Sequence, residues 1–223
     1  MIRTVLFDLD GTILDTNELI IQSFIHTFDG VTPEPVTRDH IIPNMGRPLQ
    51  EQMMYFTGRS RDQVDDLVTK YREYNIRRHD ELVQAFPYVA ETLHTLREAG
   101  VKLGVVTSKM RRTTDMGLKL TGILDYFGSV ITVDDVERAK PDPEGIFKAI
   151  AELGGKPEET LMVGDSHYDL EAAHNAGVAC VGVSWSLKGL EYLRQYNPTY
   201  LIDDMRELLP IVGVEGEMPV AKD

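Results

Sequence analysis

Two carboxylates, Asp8 and Asp10, directly follow the apolar run at residues 5–7, with one leucine between them and a glycine after them. A carboxylate can attack phosphorus as a covalent nucleophile, and a second one can move the proton that the reaction requires. Asp8 is therefore a candidate nucleophile. Asp10 is a candidate acid that protonates the leaving oxygen and then activates water. The alternative is a pair of turn acids, since Asp is common in turns.

A second pair of acids, Asp165 and Asp169, opens a helical pattern just after the apolar run at residues 161–163. Hard cations such as Mg²⁺ prefer carboxylate and water oxygens, and they neutralise acids that otherwise repel a phosphate. We expect Asp8 and Asp165 to share one Mg²⁺. Helix capping is an alternative for both acids and is compatible with metal binding. Tyr168, between them, is a candidate site residue that a helix-surface position explains as well.

Hydroxyl and cationic side chains complete the candidate site. Thr107 and Ser108 follow another apolar run, where they either donate hydrogen bonds to phosphoryl oxygens, with Thr107 favoured, or cap the next helix. Lys140, in a loop after acidic residues, provides a point charge for the same oxygens. Arg47 stands between Gly and Pro, where it binds a second phosphate or a substrate carboxylate, or stays exposed. Lys109 either gathers an anionic substrate or lies on a helix surface.

Short apolar runs rich in Val and Ile alternate with helical patterns along most of the chain. This alternation is typical of a parallel sheet covered by helices on both faces. Strands are predicted at residues 2–7, 101–106, 130–133, 160–163, 178–183 and 200–202. We predict a three-layer, doubly wound (Rossmann-like) α/β core, in which the polar clusters meet at the carboxyl ends of the strands.

Residues 17–80 interrupt this alternation. Their helical patterns cover residues 18–28, 49–57 and 61–78, separated by loops that contain Gly and Pro. We predict that they form an all-helical cap domain, inserted into a catalytic core of residues 1–16 and 81–213. Residues 214–223 lack a periodic apolar pattern and are predicted to be a flexible tail.

Composition narrows the classes of partner. The chain has 23 basic and 36 acidic residues, a formal charge of −13, which disfavours nucleic acid and anionic membranes. No apolar stretch reaches the 18 residues of a membrane span, and the opening strand pattern is not that of a signal peptide. We expect a cytoplasmic protein with a small-molecule substrate. No feature of the sequence specifies its oligomeric state.

The four clusters, in this order, resemble the four motifs of the haloacid dehalogenase superfamily. The corresponding residues are DxDGT at residues 8–12, a strand-end hydroxyl at Thr107, the lysine Lys140, and GDxxxD at residues 164–169. The resemblance covers the core almost from end to end. It implies that Asp8 is both nucleophile and metal ligand, and that the threonine and lysine bind the phosphoryl group.

The resemblance also implies roles for the other acids. Asp10 acts as acid and base with its backbone carbonyl on the metal, and Asp165 is a metal ligand. Asp169 acts on the metal through water or orients Lys140. Haloacid-cleaving members usually lack an acid at the position of Asp10, so its presence favours phosphate esters or anhydrides as substrates.

Within the superfamily, the whole chain is similar to bacterial inorganic pyrophosphatases linked to HPr-serine-phosphate dephosphorylation. The similarity is clearest at residues 7–20, 134–146 and 183–189. It implies Mg²⁺-dependent hydrolysis of pyrophosphate, a small phosphate-containing substrate, through an aspartyl-phosphate. Phosphoglycolate phosphatases share the cap type and much of the core, so hydrolysis of a phosphomonoester such as 2-phosphoglycolate is the first alternative. A non-catalytic phosphate-binding regulator is the second, although such members usually lose the nucleophile or the lysine.

Overall fold

The centre of the protein is a parallel β-sheet of six strands. The computed structural model describes residues 1–215 of the 223-residue chain. The described residues contain eight strands, of which β2 and β3 form a separate pair. They are β1 (Thr4–Phe7), β2 (Leu14–Asp15), β3 (Gln84–Ala85), β4 (Lys102–Val106), β5 (Ser129–Ile131), β6 (Thr160–Gly164), β7 (Ala179–Val183) and β8 (Tyr200–Ile202). Within the sheet the order is β5-β4-β1-β6-β7-β8, and each neighbouring pair is parallel. All six predicted strands are confirmed, with ends shifted by one or two residues.

Both faces of this sheet are buried, which explains why its strands are apolar throughout. In β1, Val5 and Phe7 belong to one apolar cluster, whereas Leu6 belongs to another. Successive strand residues point to opposite faces, so the two clusters lie on the two sides of the sheet. In β6, Met162 likewise joins the cluster of Leu6, while its neighbours Leu161 and Val163 join the other.

Helices complete the two outer layers. The first cluster includes residues of α5 (Val89–Glu98), α6 (Arg111–Leu120) and α10 (Leu208–Val212). The second includes residues of α7 (Glu144–Glu152), α8 (His167–Ala176) and α9 (Leu190–Arg194). The predicted three-layer α/β fold is therefore confirmed.

Four further helices lie between β2 and β3: α1 (Asn17–Phe28), α2 (Arg38–Ile41), α3 (Leu49–Thr57) and α4 (Asp65–Leu82). They bury an apolar cluster of their own, in which the ring of Phe24 packs against those of Phe28 and Tyr71. The two segments that join these helices to the core are β2 and β3, which pair with each other as antiparallel strands. The division into core and cap stays a prediction, which this separate cluster supports.

The structure describes only the first two residues of the predicted flexible tail, 214 and 215. Residues 216–223 of the predicted flexible tail lie outside the described residues. Val214 is ordered against the core, because its N–H donates to the Leu209 carbonyl at 2.8 Å and its side chain packs against the first apolar cluster.

Among residues 1–215, no helix combines the length and the apolar character needed to cross a bilayer.

Candidate active site

The predicted site residues meet at the carboxyl ends of β1, β4 and β6, next to the four-helix insertion. Parallel pairing aligns these ends, because Phe7 lies opposite both Val105 and Val163. A cavity of about 250 Å³ opens there. It is lined, among others, by seven of the eight predicted site residues: Asp8, Asp10, Arg47, Thr107, Ser108, Lys140 and Asp165. The eighth, Asp169, lies behind Lys140.

Lys140 connects the two acidic motifs. Its Nζ donates to Asp8 Oδ1 and to Asp169 Oδ1, both at 2.5 Å, and to the Val106 carbonyl at 3.0 Å. All three side chains of this ion-pair system are at most 10% exposed. Burial alone would lower the pKa of Lys140, but Asp169 and Asp8 outweigh it and raise that pKa above its usual value. Lys140 therefore keeps its proton and places a fixed positive charge beside Asp8.

Asp169 uses both carboxylate oxygens within the protein. Oδ1 accepts from Lys140, while Oδ2 accepts from the backbone N–H of Ser166 at 3.1 Å and from its hydroxyl at 2.6 Å. These bonds cap the start of α8, as one of the alternatives for this acid expected. Of the two functional roles implied for Asp169, the contacts support orientation of Lys140.

Asp165 is the acid that lacks a partner. Among residues 1–215, its carboxylate accepts no hydrogen bond and forms no ion pair. Burial and the charges of Asp169 and Asp8 raise its pKa well above the usual value. The Asp165 carboxylate lies directly against the backbone of Gly11, which has φ +81°. A Cβ at Gly11 would stand 2.5 Å from Asp165 Oδ2, so this close contact requires glycine.

One oxygen from each of Asp8, Asp165 and Asp169 lies within 4.8 Å of the other two. Lys140 is ion-paired with two of these three carboxylates, and the charge of Lys188 also acts on Asp165, so two cations face three acids. Burial, opposed by Lys140, raises the pKa of Asp8 to about 7. The group is therefore short of positive charge, and its oxygen donors are the ligands that a hard divalent cation prefers. The residues fit a metal ion of that class.

Asp10 stands apart from this group of three. Its two oxygens accept from Lys109 Nζ, each at 3.0 Å, and Oδ1 also accepts from the Thr16 hydroxyl at 2.8 Å. The Lys109 side chain is 10% exposed and precedes α6, so of its two alternatives the helix surface is wrong. These two donors fix the Asp10 carboxylate at the wall of the cavity.

The two hydroxyl residues at the end of β4 line the cavity and do not cap the next helix. Helix α6 starts at Arg111, so neither Thr107 nor Ser108 caps it. Thr107 Oγ1 accepts from the backbone N–H of Lys109 at 3.2 Å, which leaves its proton available for donation. The Ser108 hydroxyl is buried and has no hydrogen-bond partner within the described residues. Both cavity-lining hydroxyls can thus donate to an anion.

Comparison with known proteins identifies the family. The model of the family described as haloacid dehalogenase-like hydrolase matches residues 5–183. The chain belongs to this family. A Pyrophosphatase PpaX from Anoxybacillus flavithermus is 48% identical over 213 residues, which cover 96% of this chain and 98% of that protein. Another PpaX, from Bacillus velezensis, is 46% identical with the same coverage of both chains.

A crystal structure from Bacteroides fragilis, described as a haloacid dehalogenase-like hydrolase, superimposes with a TM-score of 0.88. It is 29% identical and covers 93% of this chain and 100% of its own. The predicted superfamily is confirmed. Family membership and the PpaX relatives make the present chain a phosphohydrolase, an enzyme whose substrates are small phosphate compounds.

Arg47 reaches the cavity of the hydrolase from the loop before α3. Its Nε donates to the Tyr168 hydroxyl at 2.6 Å, and its guanidinium lies 5.2 Å from the centre of the Tyr55 ring. Tyr168 is 9% exposed, so of its two alternatives the helix surface is wrong. No sequence pattern predicts the contacts of Tyr168, Lys109 and Lys188, because each contacts a partner that is distant in sequence. A tyrosine between two motif acids was the one available signal.

Proposed function

We propose that this hydrolase converts inorganic pyrophosphate to two phosphates through an aspartyl-phosphate at Asp8. One observation carries the proposal: a single cavity is lined by Lys140, which contacts Asp8, and by Arg47, which comes from the inserted helices. Within residues 1–215, Arg47 has no acidic partner. Two cations from separate parts of the chain suit a substrate with two linked phosphates. The similarity to PpaX pyrophosphatases supports the same substrate.

The residues divide the reaction into two steps. An Asp8 oxygen attacks one phosphorus, the bond from that phosphorus to the bridging oxygen breaks, and Asp10 gives its proton to the departing phosphate. Asp10 then takes a proton from water, the water oxygen bonds to phosphorus, and the bond from phosphorus to Asp8 breaks. Lys140, Thr107 and Ser108 donate to the phosphoryl oxygens, where charge is spread during transfer.

We propose that Mg²⁺ is the cofactor. Asp8 and Asp165 would hold it, with the Asp10 carbonyl as the family resemblance implies and Asp169 beside them. When bound, Mg²⁺ supplies the positive charge that the three carboxylates and the substrate oxygens lack. The formal charge of −13 also favours a small phosphate substrate over nucleic acid. The cytoplasmic location stays a prediction.

Asp165→Asn is expected to stabilise the metal-free protein and to abolish its stabilisation by Mg²⁺. The raised pKa of Asp165 means that its charged form disfavours folding at neutral pH, and a neutral amide removes that effect. The melting temperature in EDTA at pH 7.5 should rise by a few degrees, about 2–4 °C per kcal/mol for a protein of this size. Adding MgCl₂ should raise the melting temperature of the wild type only. A variant that Mg²⁺ still stabilises to the wild-type extent contradicts the assignment.

The substrate is tested by steady-state hydrolysis of pyrophosphate and of 2-phosphoglycolate, each with Mg²⁺. We expect kcat/KM for pyrophosphate to exceed that for 2-phosphoglycolate by at least about 10-fold, since a second phosphate offers Arg47 more negative charge and more acceptor oxygens than the carboxylate of 2-phosphoglycolate does. The reverse order would assign the protein to the phosphomonoester phosphatases. Turnover of neither substrate, with phosphate still bound, would favour the non-catalytic alternative.

A further inference from the structure

Two core side chains hold the loop that carries Arg47. Tyr168, in α8, accepts the 2.6 Å hydrogen bond from Arg47 Nε, and Lys188 Nζ donates to the Met45 carbonyl at 2.7 Å. Between them, Gly46 adopts φ +98°, and a Cβ at this position would lie 3.0 Å from Tyr168 Cδ2. The loop backbone therefore packs closely on the tyrosine ring, in a conformation that favours glycine.

Lys188 is itself fixed by aromatic rings. Its Nζ lies 5.6 Å from the centre of the Tyr168 ring and 5.5 Å from that of Tyr192, within the range of cation–π attraction. The Tyr192 hydroxyl is in turn hydrogen-bonded to His167 Nδ1 at 2.5 Å. Tyr168 thus contacts both Arg47 and Lys188, and the whole group holds one loop.

The same two anchors are attached to the acidic cluster. The Ser186 hydroxyl donates to the Asp165 carbonyl at 2.6 Å and accepts from the Lys188 backbone N–H at 3.2 Å. Tyr168 lies in the first turn of α8, between Asp165 and Asp169. The position of Arg47 is therefore set relative to the carboxylates by short, direct connections.

We propose that Tyr168 and Lys188 are positioning residues that give the site its preference for diphosphates over phosphomonoesters. They hold Arg47 where the phosphate that Asp8 does not attack would lie. A free arginine loses much rotamer entropy when it binds an anion, and prior fixation by Tyr168 and the Tyr55 ring removes that cost. Because Tyr168 occupies only Nε, both terminal nitrogens stay available for a bidentate contact. The inference rests on the proposed pyrophosphatase function.

Tyr168→Phe tests the inference with the loss of a single hydroxyl. The ring that faces Gly46 and Lys188 remains, so only the bond to Arg47 disappears. We expect kcat/KM for pyrophosphate to fall by about 10-fold to 100-fold, mainly through KM, as for one hydrogen bond to a charged group. Hydrolysis of p-nitrophenyl phosphate, which has no second phosphate, should change by less than about 3-fold. Tyr200→Phe is the control, since it removes a hydroxyl from an exposed ring outside the group that holds the loop, and it should keep the wild-type preference.

The Arg47→Met background separates positioning from a general structural effect. If Tyr168 acts through Arg47, Tyr168→Phe has no further effect on pyrophosphate hydrolysis in that background. Lys188→Met should raise KM for pyrophosphate in the same direction as Tyr168→Phe. Equal losses on both substrates, an additive double variant, or an unchanged preference in Tyr168→Phe would overturn the inference alone. A wild type that hydrolyses p-nitrophenyl phosphate but not pyrophosphate would instead overturn the proposed function and the inference with it.

Discussion

Replacing Asp8 with asparagine is expected to lower kcat for pyrophosphate by at least about 10³-fold. The amide oxygen can still accept the hydrogen bond from Lys140, which lies 2.5 Å from Asp8 Oδ1. The amide cannot attack phosphorus, so the covalent route is closed while the local structure is kept. The measurement is steady-state phosphate release with Mg²⁺ under saturating pyrophosphate.

Stability measurements distinguish this loss from misfolding. Burial raises the pKa of Asp8 from its usual value of 3.8 to about 7, so the stability present at acidic pH is lost as the pH rises through 7. Asparagine resembles the protonated acid, and at pH 8 in EDTA the variant should melt no lower than the wild type. Asp125→Asn, at an exposed position away from the cavity, is the matched control and should keep wild-type kcat. Substantial turnover by a well-folded Asp8→Asn protein contradicts the nucleophile assignment.

Asp10→Asn is expected to lower kcat by about 10²-fold to 10⁴-fold, the usual contribution of a positioned acid or base. The asparagine oxygen can still accept from the Thr16 hydroxyl and from Lys109, but the second contact of Lys109 and its ion pair are lost together with the ability to move a proton. Both chemical steps should slow, because Asp10 serves as acid in the first and as base in the second. Single-turnover kinetics with pyrophosphate measure the first step directly.

The leaving group shows whether Asp10 acts as an acid. A p-nitrophenolate leaves without a proton, so the first step with p-nitrophenyl phosphate should lose much less in Asp10→Asn than with pyrophosphate. An initial burst of p-nitrophenol followed by slow turnover is the expected trace. The same loss for both substrates in the first step is evidence that Asp10 only positions other groups.

The strands of the core were predictable because burial on both faces of the sheet requires apolar residues at nearly every strand position. β1, β6 and β7 are apolar at almost every position, and the predicted runs differ from them by one or two residues at the ends. The predicted first strand begins at the apolar Ile2, yet the hydrogen-bonded pairing of β1 with β4 starts at Thr4. Hydrophobicity marks burial, whereas strand ends depend on hydrogen bonds that the sequence does not display.

The inserted helices were less predictable. The first two patterns match α1 and α3, but the third begins at residue 61, where the structure has a separate short 3₁₀ turn, Arg61–Gln63, before α4. The helix also runs to Leu82, four residues beyond the prediction. The β2–β3 pair has no sequence signature, because two-residue strands carry no period. Short elements of this kind are specified by their neighbours in space.

The candidate site shows the same limit. Residues at strand ends were predicted because parallel register brings them together, as Asp8 and Thr107 illustrate. The contact of Lys109 with Asp10 and that of Tyr168 with Arg47 join residues 99 and 121 positions apart. No local pattern records such pairs. The first depends on how the loop after β4 packs beside the end of β1, and the second on how the inserted helices rest on the core.

Rapid acid quench with ³²P-labelled pyrophosphate tests the central claim most directly. Enzyme in excess is mixed with substrate and Mg²⁺, quenched within the first turnover, digested and mapped for labelled peptides. We predict label on Asp8 that forms before the second phosphate is released and is absent from Asp8→Asn. Full phosphate release with no label on Asp8 at any time, in either the wild type or Asp10→Asn, would contradict the covalent mechanism.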